Sequence, residues 1–331
     1  MEKTAEKKSN VFTDIKVTLG DPYKRNTLLN KVKDILLLIL RIAIIVGVSY
    51  VILEPVIGIV VGSIKSSWDL KNPMVYVLPH YPTLEKYKTA ILRMDYFRVM
   101  GKNLLYVGGL TLLQLFVCSM VGYGFARFEF PFKKILFGCV VVTIILPSHA
   151  IMFPLYTTFA LFDPFGIVSA ITGTSANLLG TPIPVILMSL LGCGVKSGLY
   201  IYIFNQFFRG LPKEIEEAAM VDGAGTWYTY FRIMLVNAMP AVITVTVFSI
   251  VWQFNDTFFA NLFQVSSNIL ISKQIATLQH VIANVDKILD PSTQQLYVDA
   301  ATVLVILPVL IIYIVLQKQF VEGVERSGIV G

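Results

Sequence analysis

The sequence predicts an all-α polytopic membrane protein with about six transmembrane helices, and three observations carry that prediction. Mean hydropathy is +0.70, with 55% hydrophobic and only 15% charged residues, a balance too apolar for a soluble domain. Several uncharged stretches reach the roughly 20 residues that a helix needs to cross a hydrocarbon core about 30 Å thick. No alternating barrel pattern appears, so helices must satisfy the backbone in lipid.

The elements follow in order. Residues 1–33 are polar and carry Lys3, Lys7, Lys8, Lys16, Lys24, Arg25, Lys31 and Lys33. Such charge beside a hydrophobic span reads as a cytoplasmic leader, a better reading than nucleic-acid binding. The apolar region begins too late for a cleavable signal peptide, and no small-residue cleavage site follows it. Residues 34–320 form the transmembrane domain and 321–331 a cytoplasmic tail. The first span covers Ile35 to Ile64, with Arg41 near its inner end and Glu54-Pro55 inside it, where the proline is expected to bend the helix. A polar stretch to Lys102 is assigned to the outside.

The second span, Leu104 to Ala126, is uncharged and ends at Arg127, Lys133 and Lys134, a short basic connection that belongs in the cytoplasm and sets the topology. The third, Ile135 to Phe159, contains Pro147 and Pro154 and should be kinked or broken near the outer side. His149 between those prolines reads as a structural residue before a pathway group. The fourth, Ile183 to Phe208, carries Gly192, Gly194, Lys196, Ser197 and Gly198 near its middle, which suits a discontinuous helix. The fifth covers Met239 to Phe259, an outer segment runs to Leu296, and the sixth covers Tyr297 to Leu316. Six crossings place both ends in the cytoplasm. Cys118, Cys139 and Cys193 fall in apolar stretches without paired spacing and read as small buried hydrophobes, not as a disulfide or zinc framework.

Between the fourth and fifth spans lies the loop 209–237, RGLPKEIEEAAMVDGAGTWYTYFRIMLVN. Pro212 suits a first helical turn, and Glu214, Glu216 and Glu217 sit where a positive helix end favours acids. Ala218 and Ala219 leave a smooth surface for close approach, Asp222-Gly223 breaks the helix, and Ala224 follows. Thr226 or Asp222 is a candidate cap for the next helix. From the residues alone, a headgroup helix anchored by Trp227 and Tyr228 is as good a reading.

Glu217-Ala218-Ala219, with Gly223 and then Ile233-x-Leu235 at their spacing, resembles the EAA motif of binding-protein-dependent ABC importer permeases. PTLEKY at Pro82 to Tyr87, GYGFARFEFP at Gly122 to Pro131, IFNQFFRGLPKEIEEAA and Asn255-Asp256 extend the resemblance toward the sugar-importing branch, and most closely toward its maltose-type G permease. One departure is Val236, where the family has proline; here proline comes only at Pro240. The resemblance implies a bacterial plasma-membrane permease half working with a second permease subunit, two ATP-binding cassette subunits and an extracellular solute-binding protein, on a sugar substrate. It also implies a coupling helix docked on an ATPase, in which Glu217 braces the loop and Gly223 permits its turn. ATP would be used by the partners, so no cofactor is expected here.

Within the membrane, Glu54, Lys196 and Asp256 are the ionisable candidates for a translocation pathway. Thr246, Ser249, Gln253 and Asp256 share an arc of about 80° on one helix, with Trp252 and Asn255 beside it. Such a stripe either lines a water-filled path or bonds neighbouring helices, and Lys196 either serves the path or pairs with an acid across helices. Gly192 to Ser197 lacks Walker A spacing, and no GxSxG, HExxH or CxxC pattern occurs, so the chain reads as a non-enzyme. The open alternatives are the same machine for glycerol phosphate or a peptide, or a secondary transporter without an ATPase.

Overall fold

The computed structural model describes residues 22–75 and 78–328, and these are helical nearly throughout, with one isolated antiparallel bridge, Phe162 to Ala176. Most of the basic leader lies outside the described residues. The chain divides into two compact units at Val60.

The first unit holds most of helix α1 (Pro22–Ile64), which runs unbroken through Pro55. Its apolar side chains from Ile35 to Val56 are exposed, as lipid-facing groups are.

The second unit begins with α2 (Ser67–Lys71) and α3 (Glu85–Arg93), short helices in the stretch assigned to the outside. Ser66 and Asp69 form a reciprocal capping box at the start of α2. Helix α4 (Tyr96–Arg127) is 32 residues long and starts eight residues before the predicted span. It is the spine of the unit and contributes to three hydrophobic clusters. Val99, Met100 and Val107 join Leu278, Ile282 and Ala301. Cys118 and Tyr123 join Phe204, Phe208 and Met234. Leu110 joins Val185, Phe259 and Phe263.

The predicted third span is sharply broken. Helix α5 (Lys133–Ile145) leads to Pro147, a 3-10 turn and α6 (Met152–Ala160), and the chain bends by 106° between α5 and the arm 148–160. Thirteen residues reach only about 20 Å, so Pro147 ends the helix before it equals a full hydrocarbon core. After α7 (Ile167–Thr172), the fourth span is split into α8 (Ile183–Leu190) and α9 (Ser197–Gly210) around positive-φ Gly192 and Lys196. Helices α10 (Glu214–Val221) and α11 (Thr226–Asn237) form the polar loop. The fifth span starts at Met239 as expected but stops as α12 (Met239–Phe254), followed by α13 (Phe258–Leu262). The outer segment contains an unpredicted helix, α14 (Ile271–Val285), whose buried Ile271, Leu278 and Ile282 dock it on α4 and α15 (Pro291–Gly328). Helix α15 continues through Pro308.

Helix α9 packs along α4 where Gly122 has no side chain. A Cβ there would come within 2.6 Å of Phe204 Cβ and 3.0 Å of the Asn205 amide nitrogen. Of the three cysteines expected to be buried, only Cys118 is; Cys139 is exposed on α5, whose outer surface is apolar, and Cys193 is exposed in the break between α8 and α9. His149 sits against Phe258, ring centroids 4.6 Å apart, in the turn that follows Pro147.

Candidate functional site

The loop between α9 and α12 has a fixed back and an open front. Glu214, Glu216 and Glu217 occupy the first turn of α10, where the helix dipole favours carboxylates. The helix ends in a Schellman motif. Gly223 has φ +82°, its amide donates to the Met220 carbonyl at 3.0 Å, and the Ala224 amide donates to the Ala219 carbonyl at 2.9 Å. No atom lies within 4 Å of where a Gly223 Cβ would stand, so glycine is required here by conformation and not by space.

The back face is tied to the membrane domain. Arg127, at the end of α4, places Nε 3.3 Å from Glu216 Oε2 and donates from Nη2 to the Leu211 carbonyl at 2.9 Å. The two charged side chains are 5% and 11% exposed. Arg127 Nε and Glu216 Oε1 have no hydrogen bond among the described residues, so charge and enclosure hold the pair. The brace therefore falls on Glu216, and not on Glu217, whose side chain is exposed. One helical position decides the difference, because Glu216 faces α4 with Ala219 while Glu217 faces away.

Helix α10 packs on α11, which contains a π segment at Thr229–Met234. Tyr230 Oη lies 2.6 Å from Ser119 Oγ on α4, and Met234 is fully buried. Neither Asp222 nor Thr226 caps α11. Gly225 occupies that place without a side-chain bond, since Asp222 is already in the preceding turn and Thr226 is inside the helix. Val236 is accommodated because α11 continues through Asn237; the 76° bend into α12 comes at Ala238, and Pro240 sits in the first turn of α12, where a missing N–H is harmless. Ile233 is half-buried. On the front face Glu217 and Ala218 are exposed, Met220 is 55% exposed and Val221 87%.

The candidate pathway residues separate into three groups. Ser249 and Gln253 are buried and bond to α4: Ser249 Oγ donates to Gln114 Oε1 at 2.7 Å and approaches Thr111 Oγ1 at 3.0 Å, and Gln253 Nε2 donates to Gln114 Oε1 at 3.2 Å. Gln114 Nε2 in turn donates to the Val195 carbonyl at 2.8 Å and Ser197 Oγ at 3.2 Å. These two stripe positions thus serve interhelical bonding. Thr246 bonds back to the Val242 carbonyl on its own helix. Lys196 and Trp252 meet each other, the ammonium 4.6 Å from the ring centroid, so the lysine's partner is an aromatic face and not an acid. Asn255 and Asp256 close the end of α12; Asn255 bonds the Val251 carbonyl, and Asp256 accepts from the Phe259 amide at 3.2 Å to start α13. Glu54 lies on α1, in the first unit, and is exposed.

Sequence reading missed Gln114, the hub of this network. Its signal was present: it is an amide in the middle of an otherwise uncharged span, where a polar side chain must find partners. Arg127 reads from the sequence as a topology marker and as part of the GYGFARFEFP stretch, and its partner Glu216 lies far along the chain.

Comparison with known proteins fits this architecture. Over 286 residues the chain is 25% identical to the diacetylchitobiose uptake system permease protein NgcG of Streptomyces coelicolor, covering 86% of each chain. It is 25% identical to the arabinooligosaccharides transport system permease protein AraQ of Bacillus subtilis, covering 86% of this chain and 92% of that one. Its fold matches a chain in the crystal structure of a bacterial ABC transporter involved in the import of the acidic polysaccharide alginate, with a TM-score of 0.66 at 20% identity, over 87% of this chain and 98% of the other. The model of the family described as binding-protein-dependent transport system inner membrane component matches residues 118–326, more than half of the sequence and the whole of the 209–237 loop. This chain is a multi-pass membrane permease belonging to that family.

Proposed function

We propose that the chain is one permease half of an ATP-driven carbohydrate importer, and that the front of α10 is where a cytoplasmic ATPase subunit pushes on it. The observation that carries this reading is the two-sidedness of α10. Arg127 and the cluster around Met234 fix its back, while Met220 and Val221 stand uncovered beside Glu217 and Ala218. A helix held this way moves as a rigid lever with α4. Apolar side chains so exposed in a polar loop are ordinary for a surface that meets a partner.

Carbohydrate is proposed as the cargo because relatives are named for diacetylchitobiose, arabinooligosaccharides, trehalose and lactose uptake. A second permease, two ATPase subunits and an extracellular solute-binding protein complete the assembly, and a solved relative is the alginate transporter in complex with an alginate pentasaccharide-bound periplasmic protein. In this reading both termini and the 209–237 loop face the cytoplasm, with the basic residues Arg127, Lys133 and Lys134. Any direct sugar contact falls to Trp252, Asn255 and Lys196, which are exposed on the chain; Ser249 and Gln253 hold helices together.

The test is reconstitution with the second permease, the ATPase subunits and the solute-binding protein of this assembly. Glu217→Lys and Gly223→Pro are expected to lower sugar-dependent uptake and substrate-stimulated ATPase activity while the protein still inserts and purifies. Wild-type stimulation in both variants refutes the assignment.

A further inference from the structure

At the same end of the bundle as α10, the end of α4, the 128–132 connection, the start of α5 and the end of α9 enclose an open cavity of about 870 Å³. Its lining includes the cations Arg127, Lys133, Lys134, Arg209 and Lys213 against one carboxylate, Glu129. Two of these cations are matched: Arg127 by Glu216, and Lys133 by Glu129 at 2.9 Å. Lys134, Arg209 and Lys213 are exposed and make no ion pair among the described residues. The cavity is therefore positive. Glu129 reports it: the hydrogen bond and charge of Lys133, then the charges of Lys213 and Lys134, hold its carboxyl below the usual carboxylate range.

Two further features describe what would fill this space. Asn205 lines it, is 2% exposed, and its Oδ1 accepts no hydrogen bond among the described residues, an arrangement that invites a hydroxyl donor. The edge beside α5 is apolar, with Phe132 73% and Ile135 64% exposed at the point where the chain enters the hydrocarbon. Phosphate oxygens suit the three unmatched cations, a hydroxylated headgroup suits Asn205, and acyl chains suit the rim.

We propose that this cavity binds the headgroup of an anionic phospholipid, its phosphate held by Lys134, Arg209 and Lys213 and its acyl chains lying along Phe132 and Ile135. A free phosphate shares the headgroup's chemistry but leaves the apolar rim uncovered, so lipid is the assigned source. The site needs only the membrane embedding of the chain, and stands or falls independently of the sugar. Because Arg127 lines the cavity and also braces α10, the bound headgroup lies next to the residue that anchors the loop.

The experiment is native mass spectrometry of the delipidated full chain in detergent, titrated separately with phosphatidylglycerol, phosphatidylcholine of the same acyl chains, and inorganic phosphate. Phosphatidylglycerol is expected to occupy one site ahead of phosphatidylcholine. The triple variant K134Q/R209Q/K213Q should weaken that site by about tenfold or more, the charge-keeping variant K134R/R209K/K213R should retain it, and K88Q/R98Q/K102Q, which removes three cations outside the cavity, should leave it unchanged. Equal binding of phosphatidylcholine, wild-type binding by the first variant, or equal weakening by the third overturns the proposal. So does inorganic phosphate that displaces phosphatidylglycerol at matched concentration, which would assign the cavity to a soluble anion.

Discussion

Removing one member of the Arg127–Glu216 pair should release α10 from the membrane domain, and removing both should largely restore it. At 3.3 Å and an effective dielectric of about 20, the attraction is about 5 kcal/mol before desolvation. Breaking a buried pair costs about 3–5 kcal/mol, because the surviving charge is left enclosed without its partner. Since neither Arg127 Nε nor Glu216 Oε1 is hydrogen-bonded, part of the desolvation cost is already uncompensated, which places Glu216→Gln near about 3 kcal/mol, or roughly a hundredfold in the opening equilibrium. Arg127→Met adds the loss of its bond to the Leu211 carbonyl, about 1 kcal/mol. The double variant Arg127→Met/Glu216→Leu replaces charge by apolar contact and should return to within about tenfold of wild type. Hydrogen exchange at the amides of Met220 to Ala224 in the full chain reads this directly. Additive single effects, with the double variant the most exposed of all, refute the brace.

Four further outcomes are expected. Gly223→Ala has open space but must hold positive φ, so it should loosen the end of α10 by about 1 kcal/mol, seen as faster exchange at Ala224 with the rest of the chain unchanged. Gln114→Leu removes its bonds to Ser249, Gln253, Val195 and Ser197, which at about 0.6 kcal/mol each in a membrane protein amounts to about 2 kcal/mol, measurable as a lower thermal midpoint in detergent. Gly122→Ala meets Phe204 Cβ and the α9 backbone and should cost about 1–3 kcal/mol through the forced separation of α4 and α9, again a thermal measurement. Asp69 is enclosed, which alone would raise its pKa, but bonds from Ser66, Tyr81 and His80 outweigh that and hold it below 3.8. A depressed carboxyl gives stability that is present above its unfolded pKa and lost as pH falls through the folded one. Amide exchange at His80 and Tyr81 should therefore quicken only below about pH 3.8, and Asp69→Asn should abolish that pH dependence.

The sequence announced features that follow from local chemistry. An uncharged run such as 104–126 has few places to go but lipid, and the acids of Glu214 to Glu217 followed by Asp222-Gly223 write a short helix with its stop. Hidden from it were features that depend on which face turns inward. Glu216 and Glu217 are adjacent acids in one first turn, and only the packing of α10 against α4 distinguishes the brace from the exposed one. The polar arc of α12 was visible, but whether it faced water or a neighbour was decided by Gln114 on another helix. Helix α14 escaped notice because its buried Ile271, Leu278 and Ile282 lie in a polar segment with no strong cap. The third span reads as kinked or broken, but the size of the turn after Pro147 depends on α6 and α13 packing near His149 and Phe258.

Helix α4 explains how a loop and a distant polar network belong to one device. Its last residue braces α10, Ser119 reaches Tyr230 on α11, Gly122 lets α9 settle against it, and Gln114 gathers α12 and the break before α9. A push on the front of α10 cannot be absorbed locally, because its back is closed by an enclosed ion pair and the cluster around Met234. In the proposed reading the motion passes into α4 and α9 together. Those helices then meet α12 at bonds that are individually weak in a membrane, so they can exchange partners at modest cost while the brace stays intact. Lys196 and Trp252 sit at that junction, where the split of the fourth span ends and α12 passes. A stiff end and a yielding middle are what a lever needs, and the contrast between the Arg127 and Gln114 predictions measures it: Glu216→Gln should free α10 without lowering the thermal midpoint of the bundle, whereas Gln114→Leu should lower that midpoint and leave α10 protected.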